Sequence, residues 1–168
     1  MDEKHQELFG GDISQEVLRI TSEVEQTHAP EALYALAAKY SSGIEVPVDH
    51  RKAFHFYHKA AYQGHAVSSY QVALYFENGW GIPTDPAKAG EFFKHAFNGF
   101  ERDVDRDARA ANNLGICYFY GKGVERDVNK AMDFFHRAHS VGVVEATNNL
   151  AMYDKDKITP AFQLAIWF

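Results

Sequence analysis

The stretch that decides the fold runs from Ala108 to Gly142, ARAANNLGICYFYGKGVERDVNKAMDFFHRAHSVG. Leu114 and Tyr118 stand four residues apart, on one stripe of a helix. Gly121, three residues further on, is the residue type that ends a helix in the left-handed conformation without strain. After the loop GKGVERD, Asp127 can accept backbone N–H bonds as the N-cap of a second helix. In that helix Ala131, Phe134, Phe135 and Ala138 recur with a helical period. The stretch therefore predicts a helical pair.

Working outward, the same register appears twice upstream. Lys52-Ala53, Lys88-Ala89 and Lys130-Ala131 are separated by 36 and 42 residues, and Asp49, Asp85 and Asp127 keep both separations. Nine residues before each Asp stands an aromatic (Tyr40, Phe76, Tyr118), and four before that an aliphatic residue (Leu36, Val72, Leu114). Gly43 and Gly79 repeat the role of Gly121, and Pro86 follows Asp85 at the favoured first helical position. The second-helix faces read Ala53, Phe56, Tyr57, Ala60 and Ala89, Phe92, Phe93, Ala96. Alternating alanine with rings lets helices approach closely at alanine while rings fill the space between pairs. No pair can bury its face alone, so the pairs must stack.

The register divides one domain. Residues 1–29 form an N-terminal tail and a cap helix with the apolar stripe Ile13, Val17, Ile20, Val24. Repeats follow at 30–65, at 66–107 with an extended linker, and at 108–143; residues 144–168 hold a degenerate fourth repeat and a C-terminal helix opening at Thr159-Pro160. Two departures carry expectations. Glu45 replaces the second loop glycine (Gly81, Gly123), which predicts a different turn in the first copy. The second copy is six residues longer, as the 42- and 36-residue separations show, and the surplus between Gly99 and Ala108 predicts an extended second helix or a protruding loop.

Composition bounds the function. Over 168 residues the chain is 46% hydrophobic, 14% aromatic and 24% charged, a globular balance that excludes disorder over most of its length. Seventeen Lys+Arg against 23 Asp+Glu leave a net charge of −6, which gives no electrostatic footprint for nucleic acid and suits a basic partner better. Cys117 is the only cysteine, so no intramolecular disulfide forms. Residues 1–29 contain no apolar run of secretory type, and no segment offers the roughly 18 apolar residues that cross a bilayer. The expectation is a soluble, cytoplasmic protein without membrane insertion.

The string Ala108-x-Ala110-x-x-x-Leu114-Gly115-x-x-Tyr118-x-x-Gly121-x-Gly123-Val124-x-x-Asp127-x-x-Lys130-Ala131, followed by Phe134, Ala138 and Gly142, resembles the Sel-one-like repeat (SLR), a branch of the tetratricopeptide-like superfamily. The resemblance covers about residues 30 to 155. It implies an all-α, right-handed α-solenoid of helix-turn-helix repeats whose first helices line a concave face. It names no ligand, since members serve as adaptors in signalling, quality control and envelope systems and as immunity proteins against toxins. By likeness to tetratricopeptide arrays, the concave positions are Glu31, Tyr34, Ala38, Ser41; Val67, Tyr70, Leu74, Glu77; Arg109, Asn112, Ile116, Phe119; and Glu145, Asn148, Met152, Lys155. Ten of them are carried forward as partner-binding candidates: Tyr34, Tyr70, Leu74, Glu77, Arg109, Asn112, Ile116, Phe119, Asn148 and Met152. Apolar anchors with asparagines between them suit a peptide or helix. Leu74, Ile116 and Phe119 equally suit packing between helices.

Catalytic chemistry is harder to find. Of nine histidines, His55 with His58 and His136 with His139 stand three apart, without a third ligand at a supporting spacing, so solvated helix faces explain them. Cys117 beside Tyr118 reads as a buried, inert thiol. GKGVERD lacks the GKS or GKT of a phosphate loop and follows no strand. The expectation is a non-enzymatic scaffold or adaptor for a protein or peptide, without cofactor or metal. A bacterial immunity protein that caps a secreted toxin is the alternative. The closing stretch, with Phe162, Leu164, Ile166, Trp167 and Phe168, adds an expected homodimer or docking contact through the C-terminal helix.

Overall fold

A computed structural model describes residues 29–154 and, in isolation, Ser22. The described helices are α1 (Pro30–Ser42), α2 (His50–Tyr62), α3 (Ala66–Asn78), α4 (Pro86–Asp103), α5 (Ala108–Tyr120), α6 (Val128–Ser140) and α7 (Val144–Asp154), with no strand among the described residues. They pair as α1 with α2, α3 with α4 and α5 with α6, and α7 packs on α6. The arrangement is an all-α repeat solenoid. The N-terminal cap helix, the helix after Thr159 and the apolar closing stretch lie outside the described residues.

Each repeat is closed by the same set of bonds, and these explain the spacings in the sequence. Gly43, Gly79 and Gly121 stop the first helices at φ 75°, 74° and 70°, each N–H donating to a carbonyl four residues back. Asp49, Asp85 and Asp127 then cap the second helices, accepting from the backbone N–H of Lys52, Lys88 and Lys130 at 3.0, 3.1 and 3.0 Å. The N–H of the same aspartates donates to the carbonyls of Tyr40, Phe76 and Tyr118, at 2.9 Å in every copy. That bond is why nine residues separate aromatic from Asp.

The aromatic is held from two sides. Its ring stacks on Phe56, Phe92 or Phe134 with centroids 5.9, 5.9 and 5.6 Å apart. The ammonium of Lys52, Lys88 or Lys130 lies 5.1, 5.4 or 5.2 Å from the ring centre on cation–π terms. The recurrent lysine thus ties the cap to the core. The next ring along, Tyr57, Phe93 or Phe135, is buried against the first helix of its own pair. A Cβ at Gly115 would lie 2.5 Å from the Phe135 ring, which is why this copy has glycine where the others have Ala37 and Ala73.

The surplus of the second copy resolves as helix: α4 has 18 residues where α2 and α6 have 13, and a turn at Val104–Asp107 leads into α5. Arg102 donates to the carbonyl of Gly64 at 3.4 Å, and Arg137 reaches the carbonyl of Val104 at 3.0 Å and Asp105 at 2.7 Å. The surplus is tied to the repeats on both sides.

The expectation for Glu45 is corrected. It adopts φ 66°, beside 68° for Gly81 and 76° for Gly123, so the first loop makes the same left-handed turn as the others. The glycines answer a second demand. A Cβ at Gly123 would lie 2.3 Å from the Phe93 carbonyl oxygen, and one at Gly81 would lie 3.0 Å from the backbone nitrogen of Arg51. In both copies the preceding second helix sits against the loop. No described repeat precedes the first copy, so Glu45 bears only the left-handed cost of about 1–2 kcal/mol, and its carboxylate pairs with Lys39.

Candidate functional site

The first helices α1, α3 and α5 lie in sequence order along one face, and their N-terminal ends open on a cleft of about 510 Å³. Three repeats contribute to it through equivalent residues: Glu31 on α1, Val67 on α3 and Arg109 on α5. Tyr34 stands one turn along on α1, with its ring 5.1 Å from that of His65 and 5.7 Å from that of Tyr57. The end of α4 and the turn after it supply Phe100, Asp103, Arg106 and Asp107.

Local chemistry fixes these groups. Asp107 caps α5 through the backbone N–H of Arg109 at 2.9 Å. It also receives the Arg109 guanidinium at 3.0 Å on each carboxylate oxygen, which holds the Asp107 carboxyl below its usual range. Arg102 does the same for Asp103. His65 caps α3, its Nδ1 accepting from the backbone N–H of Ser68 at 3.3 Å and lying 2.7 Å from the Ser68 hydroxyl. Burial lowers the His65 pKa against the opposing fields of Glu31 and Asp103, so the imidazole is neutral at pH 7. The Tyr34 hydroxyl is buried with no hydrogen-bond partner among the described residues, and burial raises its pKa.

Of the ten candidates from the sequence, Tyr34 and Arg109 meet in this cleft. Four others are core. Tyr70 is 3% exposed and set edge-on to Phe93 at 5.1 Å, Asn112 is fully buried, and Ile116 and Phe119 are buried beside them. For Ile116 and Phe119 the packing alternative describes what is seen. Asn112 accepts a 2.9 Å bond from Asn149 of α7, so it ties first helices together instead of facing outward. Leu74 and Met152 are half-buried against the same core, Glu77 is exposed and paired with Lys122, and Asn148 is exposed. None of these four lines the cleft.

Sequence reasoning missed His65, Phe100, Asp103, Arg106, Asp107 and Asn113 as cleft residues. The available signal was the six-residue surplus, which supplies most of one wall. Elsewhere, the aromatic pocket of Phe54, His58, Tyr62, Phe76 and Phe92 lies between α2 and α4. Burial pushes the Cys117 thiol up to about 12, which makes it a poor nucleophile at neutral pH. Among the described residues there is no group of three His, Cys, Asp or Glu placed to hold a metal, and no helix long and apolar enough to cross a membrane.

A stack of helix pairs with an open cleft across successive first helices defines a helical-repeat protein of the interaction type. The particular family follows from the comparisons: the Sel1 repeat model matches residues 30–65, 66–99 and 108–138, and the chain belongs to the Sel1 repeat family. Chitin synthase regulatory factor 2 of Schizosaccharomyces pombe is 30% identical over 128 residues, covering 74% of this chain and 23% of that protein. Chitin synthase regulator SKT5 of Saccharomyces cerevisiae is 33% identical over 104 residues, covering 61% of this chain and 14% of that protein. The chain thus spans less than a quarter of the length of these curated relatives. Among solved structures, a Sel1 repeat protein from Oxalobacter formigenes superposes with a TM-score of 0.58 at 26% identity, covering 87% of this chain and 57% of that one. Cysteine rich protein B of Helicobacter pylori, at 20% identity and a TM-score of 0.51 over 83% of this chain and 98% of that one, shares the fold.

Proposed function

We propose that the chain is a non-catalytic adaptor whose first-helix face, the concave face of the solenoid, docks a protein or peptide partner at the cleft. The observation that carries the reading is that Glu31, Val67 and Arg109, at one position of three successive repeats, open into a single hollow. Its volume falls in the range of about 300–1,000 Å³ typical of ligand sites. The two yeast relatives bear the names of chitin synthase regulators, which supports a regulatory adaptor acting on a larger protein machine. The net charge of −6 supports a second reading, an immunity protein that caps a basic toxin surface, and it would use the same face.

The test is Val67→Asp, which places a charge on the cleft floor at the start of a helix, where acidic residues are tolerated. Affinity for a purified partner should fall at least tenfold while the helical signal is retained, with a modest drop in melting temperature because Val67 also packs on the core. Asn148→Asp, outside the cleft, should leave affinity unaltered. Equal affinities for both variants would count against the face.

A further inference from the structure

The cleft is the one described part of the first-helix face with a wall built from residues outside the repeat register, and its charges divide by wall. On the α1 side stands Glu31, exposed and without a hydrogen bond or salt bridge among the described residues. On the opposite side, Arg102 and Arg106 share the carboxylate of Asp103 at 2.7 and 3.7 Å, while Arg109 is closed on Asp107 at 3.0 Å. Asp103 is thus engaged mainly by Arg102, and Arg106, with its side chain 76% exposed, holds the weaker share of that carboxylate. Each wall is left with one available charge: negative at Glu31 and positive at Arg106. Val67, Phe100 and Ala110 lie between them as an apolar floor. The N-termini of α3 and α5, which open on the same cleft, are already capped by His65 and Asp107.

Resting on the reading that this face docks a protein, we propose that the cleft selects an extended partner segment bearing a basic, an apolar and an acidic residue at alternate positions. Alternate positions of an extended chain point to one side, so all three side chains enter together. The apolar residue covers the floor and supplies the affinity. The basic residue meets Glu31 and the acidic one Arg106. Exposed ion pairs are individually weak, so they choose among partners and fix the direction of the segment more than they hold it. Arg106, on the α4–α5 turn, is thereby a specificity element that the other copies, lacking the surplus, do not have.

The experiment titrates capped peptides AKALAEA, AQALAQA, AKALAKA and AEALAEA into isotope-labelled protein and follows the backbone resonances of Val67 and Ala110. AKALAEA should bind tightest, about two- to fivefold ahead of AQALAQA per matched charge. Glu31→Lys, which makes both walls positive, should move the preference to AEALAEA; Arg106→Glu, which makes both negative, should move it to AKALAKA. Both positions are exposed, so the variants keep the helical signal. A rank order that stays the same in all three proteins overturns the charge-ordered segment. If Val67→Asp still abolishes partner binding in that case, the docking face survives and only its proposed selectivity fails.

Discussion

Tyr34, Tyr70, Asn112 and Asn148 occupy one position of four successive first helices, yet they meet different surroundings. Tyr70 and Asn112 are buried, Tyr34 is half-buried at the cleft, and Asn148 is exposed. Position in the repeat does not decide burial; the neighbouring helices do. Tyr70 sits edge-on to Phe93 of α4 in a core cluster that includes Ile116 and Cys117 of α5, and Asn112 is bonded to α7. Among the described helices, α1 and α7 have a first-helix neighbour on one side alone. At this position the side chain is core where described first helices flank it on both sides, as for Tyr70 and Asn112, and less covered on α1 and α7.

The largest effect that would sharpen this comparison is Tyr70→Ala. Loss of a buried ring should cost about 3–5 kcal/mol, read as a lowered urea midpoint, whereas a wild-type midpoint would return Tyr70 to the surface. Asn112→Ala should cost about 1–3 kcal/mol, because it removes the buried 2.9 Å bond that ties α5 to Asn149 of α7. A double-mutant cycle with Asn149→Ala checks that the loss is shared between the two.

A smaller effect separates the cleft by pH. Burial lowers the folded pKa of His65 below the ordinary imidazole value of 6.5, so the unfolded chain binds the proton more readily. The stability it contributes is fully present above pH 6.5 and is lost as pH falls below that value. His58, whose pKa burial also lowers, adds to the same trend. His65→Asn keeps a capping side chain and should lessen the drop in stability between neutral and acidic pH; an unchanged drop would assign it elsewhere. Smallest of all, Asn148→Ala and Tyr34→Phe should each stay within about 0.5 kcal/mol of wild type. Tyr34→Phe should fall on the stabilising side, since it removes a buried hydroxyl without a partner among the described residues.

The fold was legible because its spacings are hydrogen bonds written into the chain. The nine residues from Tyr118 to Asp127 are the length of one loop closed by an N–H to carbonyl bond, and Gly121 and Asp127 are the two caps. The cleft was less legible for two physical reasons. Amphipathic spacing marks Ile116 and Phe119 as apolar positions without saying which neighbour covers them, so they read equally as groove and as core. The wall formed by Asp103, Arg106 and Asp107 comes from residues outside the repeat, where no register assigns a direction. Glu45 shows the converse limit: a missing glycine suggested a new turn, whereas glycine at Gly123 is demanded chiefly by the approach of Phe93.

The most direct test of the docking face is site-specific photo-cross-linking with a benzophenone side chain at residue 67, in the cleft, and at residue 136, exposed on the second-helix side. The account predicts a covalent adduct with the partner from position 67 and none from position 136. Adducts from position 136 alone would contradict it.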